Sequence, residues 1–126
     1  MYTTLVTWDE GEIAGPSLEE VERLVRGLDG ESSTIVVLRG EGTGHLAVGG
    51  GPDRFVVYAT RDNVEFASLI APDRPDDRSM EQVVAGGQMG EYERRKVVSR
   101  DEALKAALRY ASDGSLDSSS RWEEDN

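Results

Sequence analysis

Apolar residues recur at helical spacing in two segments of the chain. In the first segment these residues are Leu18, Val21, Leu24, Val25 and Leu28. Ser17 can cap the start of this helix, and Gly30 can end it. In the second segment they are Ala103, Leu104, Ala107, Leu108 and Ala111, and Ser99 with Glu102 fits a capping box. The pattern predicts amphipathic helices over 17–28 and 100–112.

Short β-branched runs separated by turn residues are typical of strands. The strands predicted in the first half are 3–8, 35–38, 46–48, 55–58 and 64–70. The turns between them, at 40–44, 49–53 and 61–63, favour antiparallel hairpins over parallel crossovers. The unbroken apolar run at 35–38 predicts a central strand that is buried on both faces.

The second half adds two short predicted strands, at 83–84 and 97–98, on either side of the glycine pair Gly86 and Gly87. Residues 113–126 form an acidic tail whose Ser, Asp and Glu content is typical of disorder, except for Trp122. We therefore predict one domain over 1–126, of the α+β class. Its mainly antiparallel sheet of five to seven strands packs against two principal helices.

The charge of the chain indicates what kind of partner it can bind. The chain has 25 acidic against 14 basic residues and a net charge of −11, concentrated toward both ends. Such a surface repels nucleic acid and anionic membranes and attracts a basic protein. The chain has no cysteine, and its start lacks the basic and apolar stretch of a signal peptide. We expect a cytoplasmic protein that binds neither nucleic acid nor membrane.

Candidate chemistry is sparse. His45 is the one histidine, and no cysteine or nucleophile motif accompanies it. The run 42–47 matches a relaxed dinucleotide fingerprint, but a strand and a turn follow it instead of the helix that would hold a pyrophosphate. We expect no enzymatic activity, no metal and no cofactor.

Several segments occur in the order found in one known family. They are 45–49, then 84–93 with Gly86, Gly87 and Glu91, then 97–99, 102–110 and 113–116, and lastly Trp122. This order resembles immunity protein family one of the bacterial polymorphic toxin systems. The resemblance implies an α+β fold and a cognate toxin as partner, notably a nucleic-acid deaminase. It also implies special roles for Gly86, Gly87, Glu91 and Trp122, and we expect a structural role for the two glycines.

The sequence thus predicts an immunity protein that inhibits a toxin by capping its basic active-site face. The residues expected to bind the partner are Asp9, Glu10, Glu12, Glu91, Glu93, Trp122, Glu123, Glu124 and Asp125. Two alternatives stay open. One is a protein-interaction or regulatory module unrelated to toxins, and the other is a small-ligand-binding domain that uses the turns of 40–52. The sequence does not decide the oligomeric state.

Overall fold

A computed structural model of the chain describes residues 1–125. The strands are β1 (Leu5–Trp8), β2 (Gly11–Ala14), β3 (Ile35–Arg39), β4 (His45–Gly50), β5 (Phe55–Thr60), β6 (Phe66–Ile70), β7 (Met80–Ala85), β8 (Gln88–Glu93) and β9 (Arg121–Glu124). The helices are α1 (Leu18–Arg26) and α2 (Arg100–Asp113), and Arg94–Lys96 forms a 3₁₀ turn. No helix within residues 1–125 has the length and apolar content needed to cross a membrane.

Seven strands form one sheet in the order β2-β1-β3-β4-β5-β6-β9, and each neighbouring pair is antiparallel. The strands β7 and β8 form a separate antiparallel hairpin. The predicted α+β class, antiparallel sheet and two helices are confirmed.

Both helices pack on one face of the sheet and are capped at their first turns. Ser17 Oγ accepts a hydrogen bond from Glu20 N, and Ser17 N donates to Glu20 Oε1, which makes a complete capping box. Ser99 caps α2 by accepting from Glu102 N. The first helix ends at Gly27, three residues before the predicted Gly30. The second ends at Gly114, whose φ of 76° favours glycine.

The main core lies between these helices and the sheet. Val21 and Val25 of α1 are fully buried against strand residues such as Val36 and Leu38. Helix α2 contributes mostly alanines, among them Ala103, which let its backbone approach the sheet closely. Burial of this apolar area supplies most of the driving force for folding.

The β7–β8 hairpin covers part of the opposite face, which we call the open face. A second cluster of Val56, Val83 and Val97 joins the hairpin to the sheet there. A Cβ added at Gly49 would lie 2.5 Å from the Cβ of Ala85, so glycine is required for this approach. As a result β4, the fourth of seven strands, is buried along its whole length.

Five local features differ from the prediction. The strand buried on both faces is β4 and not β3, because the helices and the hairpin both cover β4. Strands β2 and β8 were not predicted, and each forms by antiparallel pairing with the strand that precedes it. Residues 97–98 form only an isolated bridge with Phe55. The acidic tail contains β9, which completes one edge of the sheet.

Candidate functional site

The residues predicted to bind a partner lie in three places. Asp9, Glu10 and Glu12 belong to the β1–β2 hairpin at one edge of the sheet. At the other edge, Trp122, Glu123 and Glu124 belong to β9, and Asp125 directly follows it. Six strand spacings separate these edges, or about 30 Å. The third place is β8, with Glu91 and Glu93. The fold therefore does not bring the acidic ends together into one patch.

One row of paired residues nevertheless connects the two edges along the open face of the sheet. The register places Glu12 opposite Thr7 and Glu123 opposite Ser68, at the two ends of one row that crosses all seven strands. Directly paired residues of antiparallel strands project to the same side. The side chain of Val6, next to Thr7, lies in the helix-side core, so this row belongs to the open face.

Asp9 is held by hydrogen bonds within the fold. Its carboxylate accepts from Thr34 N at 2.7 Å, from Ile35 N at 2.9 Å and from the Thr34 hydroxyl. The same hydroxyl accepts from Gly87 N at 2.8 Å. Asp9 thus links the β1–β2 turn, the start of β3 and the tip of the β7–β8 hairpin.

Gly86 and Gly87 form that hairpin tip. They are the two residues between the paired Ala85 and Gln88, and their φ angles are 63° and 78°. A two-residue turn with both φ values positive strongly favours glycine. The pair thereby presents the Gly87 amide to Thr34.

Replacing Asp9 by alanine should destabilise the protein by about 2 kcal/mol, because it leaves buried donors of Thr34 without an acceptor. Partial burial opposes ionisation, but the hydrogen bonds from Thr34 and Ile35 outweigh it and lower the pKa of Asp9. This contribution should therefore be complete above the ordinary carboxyl pKa and disappear as the pH falls below it. Urea unfolding of Asp9→Ala beside Glu10→Ala, an exposed neighbour, measures the effect. Equal stability of the two variants would contradict it.

Arg95 organises the opposite edge. Its side chain is 5% exposed, and its guanidinium makes two 2.6 Å hydrogen bonds to the Glu123 carboxylate and one of 3.1 Å to Glu93. The hydrogen bonds from Arg95 lower the pKa of Glu123 to about 2. Burial opposes the ionisation of Glu93, yet hydrogen bonding and charge from Arg95 lower its pKa too. Two predicted partner-binding carboxylates thus converge on one buried cation.

Trp122 and Asp125 also make contacts within the fold. The Trp122 ring packs against the main core, and its Nε1 donates to the Asp117 carbonyl at 3.3 Å. Asp125 forms a 2.8 Å ion pair with Lys96 and accepts from the Ser68 hydroxyl at 2.6 Å. These contacts hold β9 against β6 from both faces.

The remaining four predicted partner residues are exposed and have no ion pair within residues 1–125. They are Glu10, Glu12, Glu91 and Glu124. A direct contact with a basic partner costs these four no internal ion pair. By contrast, such a contact has to compete with internal bonds at Asp9, Glu93 and Glu123.

One acidic surface was missed by the sequence reasoning. A cleft of about 800 Å³ opens at the end of the sheet that carries the β3–β4 and β5–β6 turns. We call it the acidic cleft, and its carboxylates are Glu41, Asp62, Glu65 and Glu124. Alternate turns of an antiparallel meander lie at the same end of the sheet, so acidic residues in those turns were an available signal.

A second concavity lies on the open face beside the hairpin. It has a volume of about 440 Å³, and Tyr58, Phe66 and Tyr92 contribute to its mostly apolar wall. Its charged rim consists of Lys96 and Asp125, which are already paired with each other.

His45 lies on β4, 7% exposed, with its ring edge-on to Tyr58 at 5.9 Å between centroids. Burial, reinforced by the charge of Arg39, lowers its pKa, so the imidazole is neutral at pH 7. Within residues 1–125 no group of three or more histidine, cysteine, aspartate or glutamate side chains is arranged to hold a metal ion. The turn at 40–44 connects two strands, so the glycine-rich run lacks the helix that a dinucleotide site needs.

Comparison with known proteins gives the family. The family model of immunity protein Imm1 matches residues 9–124, which include both helices and every strand except β1. No curated protein matches the chain. Because the match spans nearly the whole fold and both acidic edges, the chain belongs to the Imm1 immunity protein family.

Proposed function

We propose that this immunity protein neutralises a toxin that acts on nucleic acid, a deaminase being the expected class, by covering the toxin's basic active-site face. Family membership supplies the partner class, because an immunity protein acts by binding a cognate toxin. The observation that supports the finer proposal is the net charge of −11. A nucleic-acid enzyme needs a basic cleft for phosphate, and an acidic inhibitor is complementary to such a cleft.

The proposed contact surface consists of carboxylates that the fold leaves unpaired. Glu10 and Glu12 supply one edge, Glu91 the hairpin, and Glu124 the other edge. The two edges are about 30 Å apart, and the register places Glu12 on the open face but Glu124 on the helix side, so a partner that touches both must span the sheet and reach both of its faces. Rim charges of this kind act mainly on the association rate.

The experiment is co-expression with the toxin encoded beside the gene. We expect the wild-type chain to restore growth, to co-purify with the toxin and to suppress deamination of nucleic acid in a purified mixture. Growth arrest that persists despite folded immunity protein would contradict the inhibitory role. Rescue of a toxin that has no activity on nucleic acid would contradict the deaminase assignment and keep the immunity role.

The chain itself should have no catalytic part in protection. His45→Ala should therefore still protect cells, provided that its unfolding midpoint stays above the growth temperature. Protection and thermal unfolding should be measured on the same variant. Complete loss of protection by a variant that remains folded would assign His45 a direct role.

The small-ligand alternative has one observation in its favour, the 440 Å³ concavity on the open face. Ligand sites of this size usually combine an apolar wall with a few converging polar groups. Here Lys96 and Asp125 satisfy each other, which weakens the case.

A further inference from the structure

We propose that the outer face of the β7–β8 hairpin is the apolar anchor of the toxin interface, and that it packs into an apolar pocket of the toxin beside a basic side chain. This inference rests on the proposed function for its partner and adds the place and chemistry of one contact. The outer face consists of the hairpin side chains that point away from the sheet. They are Met80, Gln82 and Val84 of β7 and Met89, Glu91 and Glu93 of β8.

The register of the hairpin separates this outer face from the inner one. Val83 and Tyr92 pack against the sheet, so they mark the inner face. Successive side chains of a strand point to opposite sides, and directly paired residues share a side. Val84 and its partner Met89 therefore point outward. Exposure follows the same alternation, since Val83 is 2% exposed and Met89 is 61% exposed.

Two of the five large apolar side chains that are exposed within residues 1–125 lie on this face. Met80 and Met89 are 51% and 61% exposed, and the partly exposed Val84 stands opposite Met89. The other three belong to separate segments, and they are Met1, Leu18 and Val64. Exposed apolar patches mark interaction sites, and flexible methionine side chains adapt well to the surface of a partner.

Contacts on the inner side hold the hairpin in place. At the tip, Gly87 N donates to the Thr34 hydroxyl at 2.8 Å. Near the base, the Glu81 carboxylate lies 3.4 Å from Arg54 and 3.6 Å from Arg94. The outer face is therefore presented on a fixed support, and a preorganised surface loses little freedom when it binds.

A free carboxylate adjoins the apolar tip of this face. Glu91 is exposed, follows Met89 by two residues on the same strand and has no ion pair within residues 1–125. Two residues of a strand span about 7 Å. Glu93, by contrast, is paired with Arg78 and Arg95. The complementary surface is therefore an apolar pocket with a lysine or arginine about 7 Å from its centre.

Area and charge both select the toxin over a second copy of this chain. Two strands of six residues present a face of about 20 Å by about 10 Å, or about 200 Å². A stable interface buries about 800 Å² on each partner, so this face is one part of a larger contact. A second copy would also bring another charge of −11 to that contact. A basic toxin is attracted by the same charge.

Methionine methyl groups report this contact directly, because the chain has only Met1, Met80 and Met89. The chain is labelled with ¹³C at these methyls and mixed with the unlabelled cognate toxin, and a soluble gadolinium chelate broadens every methyl signal that solvent still reaches. In the complex the signals of Met80 and Met89 should be protected, while that of Met1, 59% exposed in the free chain, should stay accessible. A complex in which Met89 remains as accessible as in the free chain would overturn the proposal. Protection that grows with the concentration of the chain alone would assign the face to a second copy and overturn it too.

Met89→Gln and Val64→Gln are matched variants, since each replaces one exposed apolar side chain by a neutral polar one. Met89→Gln should weaken toxin binding about tenfold, the effect of one interface anchor, through faster dissociation. This loss should persist in high salt, because salt screens charged contacts and not apolar ones. Val64→Gln, at a residue that is 77% exposed, should change binding little. Equal effects of the two variants would overturn the anchor and leave the inhibitory role intact, whereas a wild-type chain that fails to bind the toxin refutes the proposed function together with the anchor.

Discussion

Arg95→Met should lower the free energy of unfolding by about 3 kcal/mol, because it removes the buried cation that joins Glu123 of β9 to Glu93 of β8. In a chain of this size such a loss lowers the melting temperature by roughly 10 °C. Methionine keeps much of the arginine's length, so the effect reports charge and hydrogen bonding more than volume. Thermal unfolding by circular dichroism measures the change.

Arg94→Met is the matched control, since Arg94 is the exposed neighbour whose closest carboxylate is Glu81 at 3.6 Å. Exposed pairs of this kind contribute about 0–1 kcal/mol. If Arg94→Met and Arg95→Met unfold at the same temperature, the buried cation does not anchor β9.

The same ion pair predicts an acid dependence. The pKa of Glu123 is about 2 in the folded protein, against an ordinary value of 4.5. As the pH falls, the unfolded chain takes up the proton first, so the stabilisation is complete above about pH 4.5 and disappears toward pH 2. Arg95→Met should therefore flatten this part of the stability profile. An unchanged profile would contradict the assigned cause.

Trp122→Ala should lower the free energy of unfolding by about 3 kcal/mol and detach β9 from the sheet. The ring is partly buried on the core side of the strand, opposite Leu69, and its Nε1 bond to the Asp117 carbonyl is lost as well. Hydrogen exchange should show the amide of Asp125, which donates to the Phe66 carbonyl, losing protection.

The control is Arg121→Ala, on the same strand but exposed, whose nearest carboxylate is Glu123 at 3.8 Å. Its effect on stability and exchange should be small. An unchanged melting temperature and unchanged toxin affinity in Trp122→Ala would show that the tail is a passive extension.

The helices were predictable because their signals are local. Ser17 and Ser99 cap the two helices as expected, and the apolar spacing identifies the buried stripes. The short edge strands were not predictable, since β2 and β9 are polar and become strands only by pairing with β1 and β6. The burial of β4 was not predictable either, because it depends on the β7–β8 hairpin, which is distant in sequence and leaves no signal in the residues of β4.

For the acidic residues, too, the sequence showed the local property and not the contacts with distant segments. Their charge was evident in the sequence, but their partners were not, because the contacts of Asp9 with Thr34 and of Arg95 with Glu123 join segments 25 and 28 residues apart. The sequence therefore could not separate carboxylates that hold the fold from those left free, such as Glu10 and Glu124. It also could not show that Glu41 and Glu65 meet Glu124 in one cleft.

Electrostatic recognition of a basic toxin is the central claim, and the association rate at two ionic strengths tests it most directly. Stopped-flow mixing with the cognate toxin at about 0.01 M and about 1 M salt changes the screening length from about 30 Å to about 3 Å. We predict that the association rate constant falls at least about tenfold in high salt, and that reversal of Glu10, Glu12, Glu91 and Glu124 reduces the low-salt rate. An association rate that responds to neither salt nor charge reversal would contradict the account and indicate an apolar interface.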